Sequence, residues 1–181
     1  MRAFVSQALK DARLDDLDER LLEFVPLHEY QELVDAAINT GEETKRGARL
    51  ARLGARLADL TEPQRERFVD AVVSLNDESA RAVALAPLGV AMESLSDLQQ
   101  GQLIDSAIGI KHERDGALAL AGLGVGITHL TEFRRKRLVE AAAGIKDEKY
   151  RALAMAGVGA GMAGMTNLSE IGGRDGTPER G

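Results

Sequence analysis

The sequence contains no cysteine, no tryptophan and only three histidines, at His28, His112 and His129. The absence of cysteine excludes disulfides, thiolate metal ligands, iron–sulfur clusters and cysteine nucleophiles. Because the three histidines lie far apart in the sequence, no histidine-based zinc site is indicated. A Gly-rich phosphate loop and a nucleophile elbow are also missing. We therefore expect a protein that is not an enzyme, with no catalytic residue, no metal and no cofactor.

Long hydrophobic runs are missing as well. The two longest, residues 117–128 and 152–166, are mostly alanine and glycine and are shorter than the roughly 18 residues that span a bilayer. The first residues, MRAFVSQALKDAR, lack the apolar core of a Sec signal peptide. The net charge of -6 makes nucleic acid and anionic membranes unfavourable partners. These features predict a soluble, cytoplasmic protein that does not bind membranes, and they leave a non-Sec secretion signal open.

What the sequence does contain is a repeat of 35 residues. Leu-Thr-Glu at 60–62 recurs as Leu-Ser-Asp at 95–97 and as Leu-Thr-Glu at 130–132. The period divides the chain into unit 1 (25–59), unit 2 (60–94), unit 3 (95–129) and unit 4 (130–164). Residues 1–24 precede the units as a predicted N-terminal helical cap, and residues 165–181 follow as the start of a degenerate repeat and a flexible tail.

Each unit has the pattern of two helices joined by a tight turn. Thr61, Ser96 and Thr131 are predicted N-caps, and a glutamine three residues after Thr61 and Ser96 completes the capping-box spacing. Apolar residues then recur at helical spacing, and a second helix is predicted to run to the end of the unit. Stacked helical hairpins form solenoids. The predicted fold is all-α: a right-handed superhelical stack of four hairpins behind an N-terminal capping helix.

Small residues form a stripe along the second helix of units 2 to 4. The stripe reads Ala84, Pro87 and Ala91, then Ala119, Gly122 and Gly126, then Ala154, Gly157 and Gly161. Glycine inside a helix costs about 1 kcal/mol relative to alanine, so its recurrence indicates close contact between helices. Pro87 predicts a bend in the second helix of unit 2.

In unit 1 the same stripe consists of Arg49, Arg52 and Arg56. The preceding segment is acidic, with Asp or Glu at 15, 16, 18, 19 and 23. Terminal repeats are expected to be atypical, and one hypothesis is that carboxylates of the cap meet the three arginines. The alternative is an arginine-lined groove that binds an anionic partner.

Two sets of carboxylates follow the 35-residue period. Asp35, Asp70, Asp105 and Glu140 occupy one position; Glu43, Glu78, Glu113 and Glu148 occupy another. Since a catalytic pair needs a unique pocket, carboxylates that recur in every unit favour a structural role. We expect the first set to pair with Arg46, Arg81 and Arg151 across the hairpin turns. The second set begins the second helices, where the helix dipole favours negative charge by about 0.3–1 kcal/mol.

Arg134, Arg135, Lys136 and Arg137 form the densest basic cluster. Their counterparts in other units vary, which is typical of a solvated helix face. The alternative is that the cluster binds phosphate or nucleic acid. His112, His129, Tyr30 and Tyr150 are predicted to lie at turns or on the surface.

The unit length and two-helix plan resemble the α-solenoid class that includes tetratricopeptide, HEAT and armadillo repeats. The resemblance covers residues 14–168 and implies a scaffold that binds a protein or peptide on an extended surface. A secreted bacterial effector that engages host proteins is a further hypothesis of the same kind. Because the last apolar hairpin lacks a polar cap, self-association through residues 130–168 is also predicted.

Overall fold

A computed structural model describes Leu14, Asp15 and residues 19–172, and within these residues the protein is all-helical, without strands. This confirms the predicted all-α class. Eight α-helices account for most of the described chain, and 3-10 helices connect several of them. The α-helices are α1 (Leu27–Ile38), α2 (Glu43–Leu53), α3 (Glu62–Val73), α4 (Glu78–Leu85), α5 (Asp97–Ile108), α6 (Glu113–Gly124), α7 (Glu132–Ala143) and α8 (Glu148–Gly172). Each unit thus contributes two of them.

The predicted N-caps are confirmed at the first helices of units 2, 3 and 4. Thr61 and Ser96 each form a capping box with the glutamine three residues later. The Thr131 side chain accepts a hydrogen bond from the Arg134 backbone amide. These contacts satisfy amide groups that have no partner inside the helix and fix the residue at which α3, α5 and α7 begin.

The second helices of units 1 to 3 are shorter than the sequence predicts. Helix α4 ends at Leu85 and continues as a 3-10 helix over Ala86–Ser94, where Pro87 has no amide hydrogen to donate. Helix α2 passes into a 3-10 helix over Gly54–Asp59, and α6 ends at Gly124. Units 1 to 3 all close with the same turn, in which the backbone amide of Leu60, Leu95 or Leu130 donates to the carbonyl three residues earlier. Helix α8 instead continues through Met165 and Thr166 to Gly172.

Helices of neighbouring units pack against each other in chain order. The first helices contact one another as α1 with α3, α3 with α5 and α5 with α7; the second helices do so as α2 with α4, α4 with α6 and α6 with α8. Their buried faces form one continuous apolar core. Leu53, Leu88, Leu123 and Val158 share one repeat position in it and are each at most 1% exposed. Modest aliphatic side chains repeated in every unit therefore supply the core that the few aromatic residues do not.

The periodic glutamates at the starts of the second helices link one unit to the next. The Glu43 carboxylate accepts hydrogen bonds from the backbone amides of Asn76, at 3.1 Å, and Asp77, at 2.7 Å. Glu78 accepts from the amides of Lys111 and His112, both at 3.0 Å. Glu113 makes the same pair of bonds to unit 4, accepting from residues 146 and 147. The sequence predicted that glutamates at this repeat position interact with the helix dipole. In the structure they also form a contact between units.

The expected ion pairs across the hairpin turns are not formed. The Arg81 side chain donates to the carbonyl oxygen of Leu75, and Arg151 donates to that of Ile145. Asp35 and Asp105 instead pair with arginines of the following unit, Arg67 at 3.0 Å and Arg137 at 2.6 Å. In units 2 and 4 a carbonyl oxygen of the hairpin turn accepts from the nearby guanidinium, and the aspartates of units 1 and 3 reach across to the neighbouring first helix.

We expect acid to weaken the contacts between units at Glu43 and Glu78. Hydrogen bonds from the turn amides lower the pKa of both carboxyls below the ordinary value of 4.5. A lowered folded-state pKa adds stability above the unfolded pKa, and that stability is lost as pH falls through the folded pKa. In urea titrations between about pH 6 and about pH 3, the variant Glu43→Gln/Glu78→Gln should lose less stability on acidification than the wild type.

Glu148→Gln is the matched control for this prediction. Glu148 occupies the same repeat position but has no hydrogen-bond partner among the described residues. Its replacement removes a carboxylate without removing a contact between units, so Glu148→Gln should not reproduce the effect of the double variant. If the double variant and the control showed the same pH dependence as the wild type, the turn amides would not be the source of the acid sensitivity.

Candidate protein-docking surface

The second helices, together with the segments that directly follow α4 and α6, carry apolar side chains on the outside of the molecule at two repeat positions. These residues are Val83, Leu118 and Leu153 at one position, and Val90 and Val125 at the other. Their exposed fractions lie between 38% and 63%. Because α4, α6 and α8 pack side by side, equivalent positions in successive units are neighbours. We call this set the second-helix stripe.

The surface beside these positions is mostly small or basic, apart from the exposed Glu93, which lies three residues after Val90. Ala86 and Ala121 lie between the two apolar positions of units 2 and 3 and are half-buried. Arg114 and Lys149 each stand four residues before a leucine of the stripe, one helical turn away, and both are exposed. The second-helix stripe therefore offers an apolar surface with positive charge along one edge.

The first helices present a different surface, made of ion pairs between units. Arg67 pairs with Asp35, and Arg137 pairs with Asp105. At another repeat position, Gln99 donates to Glu62 at 3.1 Å. Exposed apolar side chains on the first helices lie at the helix ends, as in Leu98 and Phe133 near the starts and Ile108 at the end of α5. Paired charges along neighbouring helices make this side polar, in contrast to the second-helix stripe.

The basic cluster at 134–137 is held in contacts within the protein. Arg134 pairs with Asp97 of the preceding unit at 2.8 Å, and four-fifths of its side chain is covered. Arg137 pairs with Asp105, and its guanidinium lies 5.8 Å from the centre of the Phe133 ring. The Nζ atom of Lys136 lies 3.8 Å from the Oε1 atom of Glu140. Arg135 also has an interaction partner. Since carboxylates already neutralise much of this charge, nothing in the geometry favours binding of phosphate or nucleic acid here.

The arginine stripe of unit 1 is covered by the N-terminal segment. Arg49 binds both carboxylate oxygens of Asp15, at 2.9 and 3.0 Å, and donates to the Thr40 hydroxyl at 2.8 Å. Arg52 donates to the backbone carbonyls of Leu14 and Asp15, at 2.6 and 2.7 Å. The hydrogen bond from Arg49 is the main cause of the lowered pKa of Asp15. Arg49 is therefore buried against the chain itself, whereas Arg52 and Arg56 stay partly exposed and line a cavity together with Leu22 and Pro87.

Arg56 completes this arrangement. It donates to the carbonyl oxygens of Leu22 and of Val25, the latter at 2.9 Å, and to the Asp59 carboxylate at 2.6 Å. Its guanidinium also lies 4.7 Å from the centre of the Tyr30 ring. Of the acidic residues predicted to meet the arginines, Asp15 does so, while Asp16 and Asp18 lie outside the described residues. Backbone carbonyls, which the charge pattern did not indicate, supply most of the other acceptors.

Tyr30 is not a surface residue, contrary to the sequence prediction. It is fully buried, its hydroxyl donates to the Leu53 carbonyl oxygen at 2.7 Å, and burial raises its pKa. The same repeat position serves a similar purpose in the next two units. Arg65 donates to the Leu60 carbonyl oxygen, and the buried Gln100 donates to that of Met92. The position supplies a donor to backbone carbonyls at the last residue of a second helix, as at Leu53, or in the segment that follows it, as at Leu60 and Met92.

Metal sites and membrane spans are both absent from the part of the chain that the structure describes. No group of three or more His, Asp or Glu side chains there is arranged to hold a metal ion. Nor do residues 19–172 include a helix that combines the length and the apolar character needed to cross a membrane.

The chain matches no protein-family model, no curated protein and no solved structure at a significant level.

Proposed function

We propose that this chain is an α-solenoid scaffold that binds a protein or peptide partner along its second-helix stripe. In this proposal the units 25–59, 60–94, 95–129 and 130–164 form a right-handed superhelical stack, and residues 1–24 cap its N-terminal end. The observation that carries it is the recurrence of exposed Val and Leu at equivalent positions of three successive units.

The chemistry of the stripe defines the kind of partner. Apolar side chains spaced by the repeat favour a segment that buries its own apolar residues at a regular spacing, either extended or as an amphipathic helix. Arg114 and Lys149 favour an acidic residue at one edge of that segment. The first-helix side offers paired charges instead and gives little energy for docking.

The test is affinity capture from extracts of the source cell with three forms of the full chain. Leu118→Glu/Val125→Glu places two charges in the centre of the stripe and should abolish retention of the partner, because carboxylates would be desolvated against an apolar ligand. Both wild-type side chains are substantially exposed, so the fold should tolerate the change.

Leu98→Glu is the matched control. Leu98 is 72% exposed but lies on α5, a first helix. Wild type and this control should retain the same partner. Retention by the double variant at the wild-type level, with folding verified by circular dichroism, would refute docking on the second-helix stripe.

A further inference from the structure

Unit 3 lacks an arginine that the other three units have at the same repeat position. This position, near the start of the second helix, is occupied in units 1 to 4 by Arg46, Arg81, Gly116 and Arg151. The Arg81 side chain donates to the Leu75 carbonyl oxygen at 2.6 Å, and the Arg151 side chain donates to that of Ile145 at 3.0 Å. In units 2 and 4 the arginine therefore joins the second helix to the hairpin turn before it.

Unit 3 retains the acceptor of this hydrogen bond. The Ile110 carbonyl oxygen corresponds to those of Leu75 and Ile145, and within the described part of the chain no side chain donates to it. Steric crowding does not require glycine at residue 116, since the nearest atom outside its own helix that a Cβ would meet is this oxygen, at 3.5 Å. The backbone does not require it either, because no described glycine has a left-handed φ. Unit 3 thus offers an acceptor with room for a donor beside it.

A cavity of about 240 Å³ lies beside Gly116, between units 3 and 4. Three of the unit 3 residues that line it are Ile110, Glu113 and Leu120. The corresponding groove between units 2 and 3 is lined by Arg81 but not by the counterparts of these three residues. The arginine of unit 2 therefore covers a wall that is open in unit 3. We call this space the Gly116 cavity.

The lining of the Gly116 cavity is suited to a guanidinium group on an apolar stem. Glu113 supplies a carboxylate, and in unit 1 the carboxylate and the guanidinium at the corresponding positions lie 3.5 Å apart. Leu120 and Ile145 supply apolar surface from the two units. Lys111, which is exposed, carries the one opposing charge among the ten lining residues. The cavity thus places a carbonyl oxygen and a carboxylate next to aliphatic side chains.

We propose that the Gly116 cavity binds the guanidinium group of an arginine side chain presented by a partner peptide. Its volume is below the roughly 300–1,000 Å³ of small-molecule sites and suits a single side chain. A planar guanidinium has five donors and can donate to the carbonyl and the carboxylate together, whereas the ammonium of lysine is a compact point charge. The arginines of the other units show which chemical group this position accepts.

The Gly116 cavity is separate from the second-helix stripe. Leu118 of the stripe follows Gly116 by two residues, so the two do not share a side of α6. The stripe binds apolar side chains in the proposed function, while the cavity binds a cation. This proposal therefore stands or falls independently of the proposed function.

N-acetyl-arginine amide is the probe for the Gly116 cavity. In NMR titrations of the full chain it should shift the backbone amide resonances of Gly116 and Gly144, which both line the cavity, and saturate with a Kd of about 1–10 mM. N-acetyl-lysine amide should bind at least about fivefold more weakly, because it lacks the planar set of donors. N-acetyl-norleucine amide, which has an apolar stem without a charge, should give no saturable shifts.

Gly116→Arg should abolish binding of the arginine probe, because the chain then supplies its own guanidinium. Gly41→Arg is the matched control: it adds the same charge at an exposed glycine outside the cavity and should bind the probe as the wild type does. Lys111→Asn introduces the residue type that unit 2 has at this position, Asn76. It removes the opposing charge and should tighten binding about two- to fivefold.

Three results would overturn the proposal. The first is a wild type without saturable shifts, and the second is a lysine probe that binds as tightly as the arginine probe. The third is binding that persists in a Gly116→Arg variant shown by circular dichroism to be folded. If that variant does not fold, Lys111→Asn decides, because an affinity equal to that of the wild type would place the probe outside the Gly116 cavity.

Discussion

Replacing Gly89 by alanine should destabilise the protein by about 2–3 kcal/mol, whereas Gly159→Ala should stabilise it by up to about 1 kcal/mol. The two glycines share one repeat position. A Cβ at residue 89 would overlap the carbonyl oxygen of Gly122 and lie 3.3 Å from the Cα of Leu123. These are backbone atoms, so they move only if the neighbouring unit shifts. At Gly159 the added methyl group meets nothing within 4 Å and favours the helix.

Backbone conformation does not account for this difference. No glycine in the described part of the chain has a left-handed φ, so alanine is compatible with the local backbone at both positions. The opposite signs of the two predicted stability changes then depend only on the free space beside each glycine. Urea unfolding of both variants measures them, and a Gly89→Ala variant as stable as the wild type would contradict the close approach of units 2 and 3.

The sequence predicted where helices begin and which residues bring them together, because both depend on local chemistry. The N-caps at Thr61, Ser96 and Thr131 satisfy amides within the same helix. The glycines at 122 and 126 were predicted to allow close packing, and a Cβ at either would overlap the preceding unit. The repeat period shows which positions are equivalent in successive units, and this requires no knowledge of the fold.

The contacts of the periodic glutamates could not be predicted in the same way. Glu43 and Glu78 reach backbone amides 33 and 34 residues later, at the turn of the next unit. The period shows that a glutamate recurs, but the rotation and translation between successive units decide what its carboxylate reaches. Backbone amides also leave no mark in the sequence, since every residue except proline has one.

The second-helix stripe could not be predicted from the sequence for a related reason. Helices α4 and α6 are apolar on more than one side, and Val83 and Leu118 fit the pattern of a core as well as that of a surface. When apolar residues occur all around a helix, their periodicity no longer distinguishes the buried side from the exposed one. Only the packing of α4 against α2 and α6 shows which residues are left outside.

The position of Tyr30 illustrates a different limit. The same repeat position holds Tyr30, Arg65 and Gln100, residues of different size and charge. Their shared property is a side-chain donor that reaches a backbone carbonyl at the end of a second helix or in the segment that follows it. A comparison of units by residue class treats such a position as variable, although its hydrogen-bonding role is constant.

Arg49→Met should lower the free energy of unfolding by about 2–3 kcal/mol, the range for a hydrogen-bonded charged group that is mostly buried. Arg49 is only 5% exposed and holds the Asp15 carboxylate and the Thr40 hydroxyl. Methionine preserves much of the packing of the arginine stem but removes the donors. The loss would detach Asp15 and restore its pKa toward the ordinary value, since Arg49 is the main cause of the lowered pKa.

The matched control is Arg67→Met, which also breaks an ion pair between an arginine and an aspartate. Arg67 and Asp35 are each more than half exposed, so water and salt screen their attraction and the change should cost less than about 1 kcal/mol. Urea unfolding of the two variants separates the two interpretations of the arginine stripe. If the arginine stripe binds an N-terminal cap, Arg49→Met lowers the free energy of unfolding clearly more than Arg67→Met does. Equal small losses would favour an open groove for an anionic partner, because a binding residue in an open groove contributes little to the stability of the free protein.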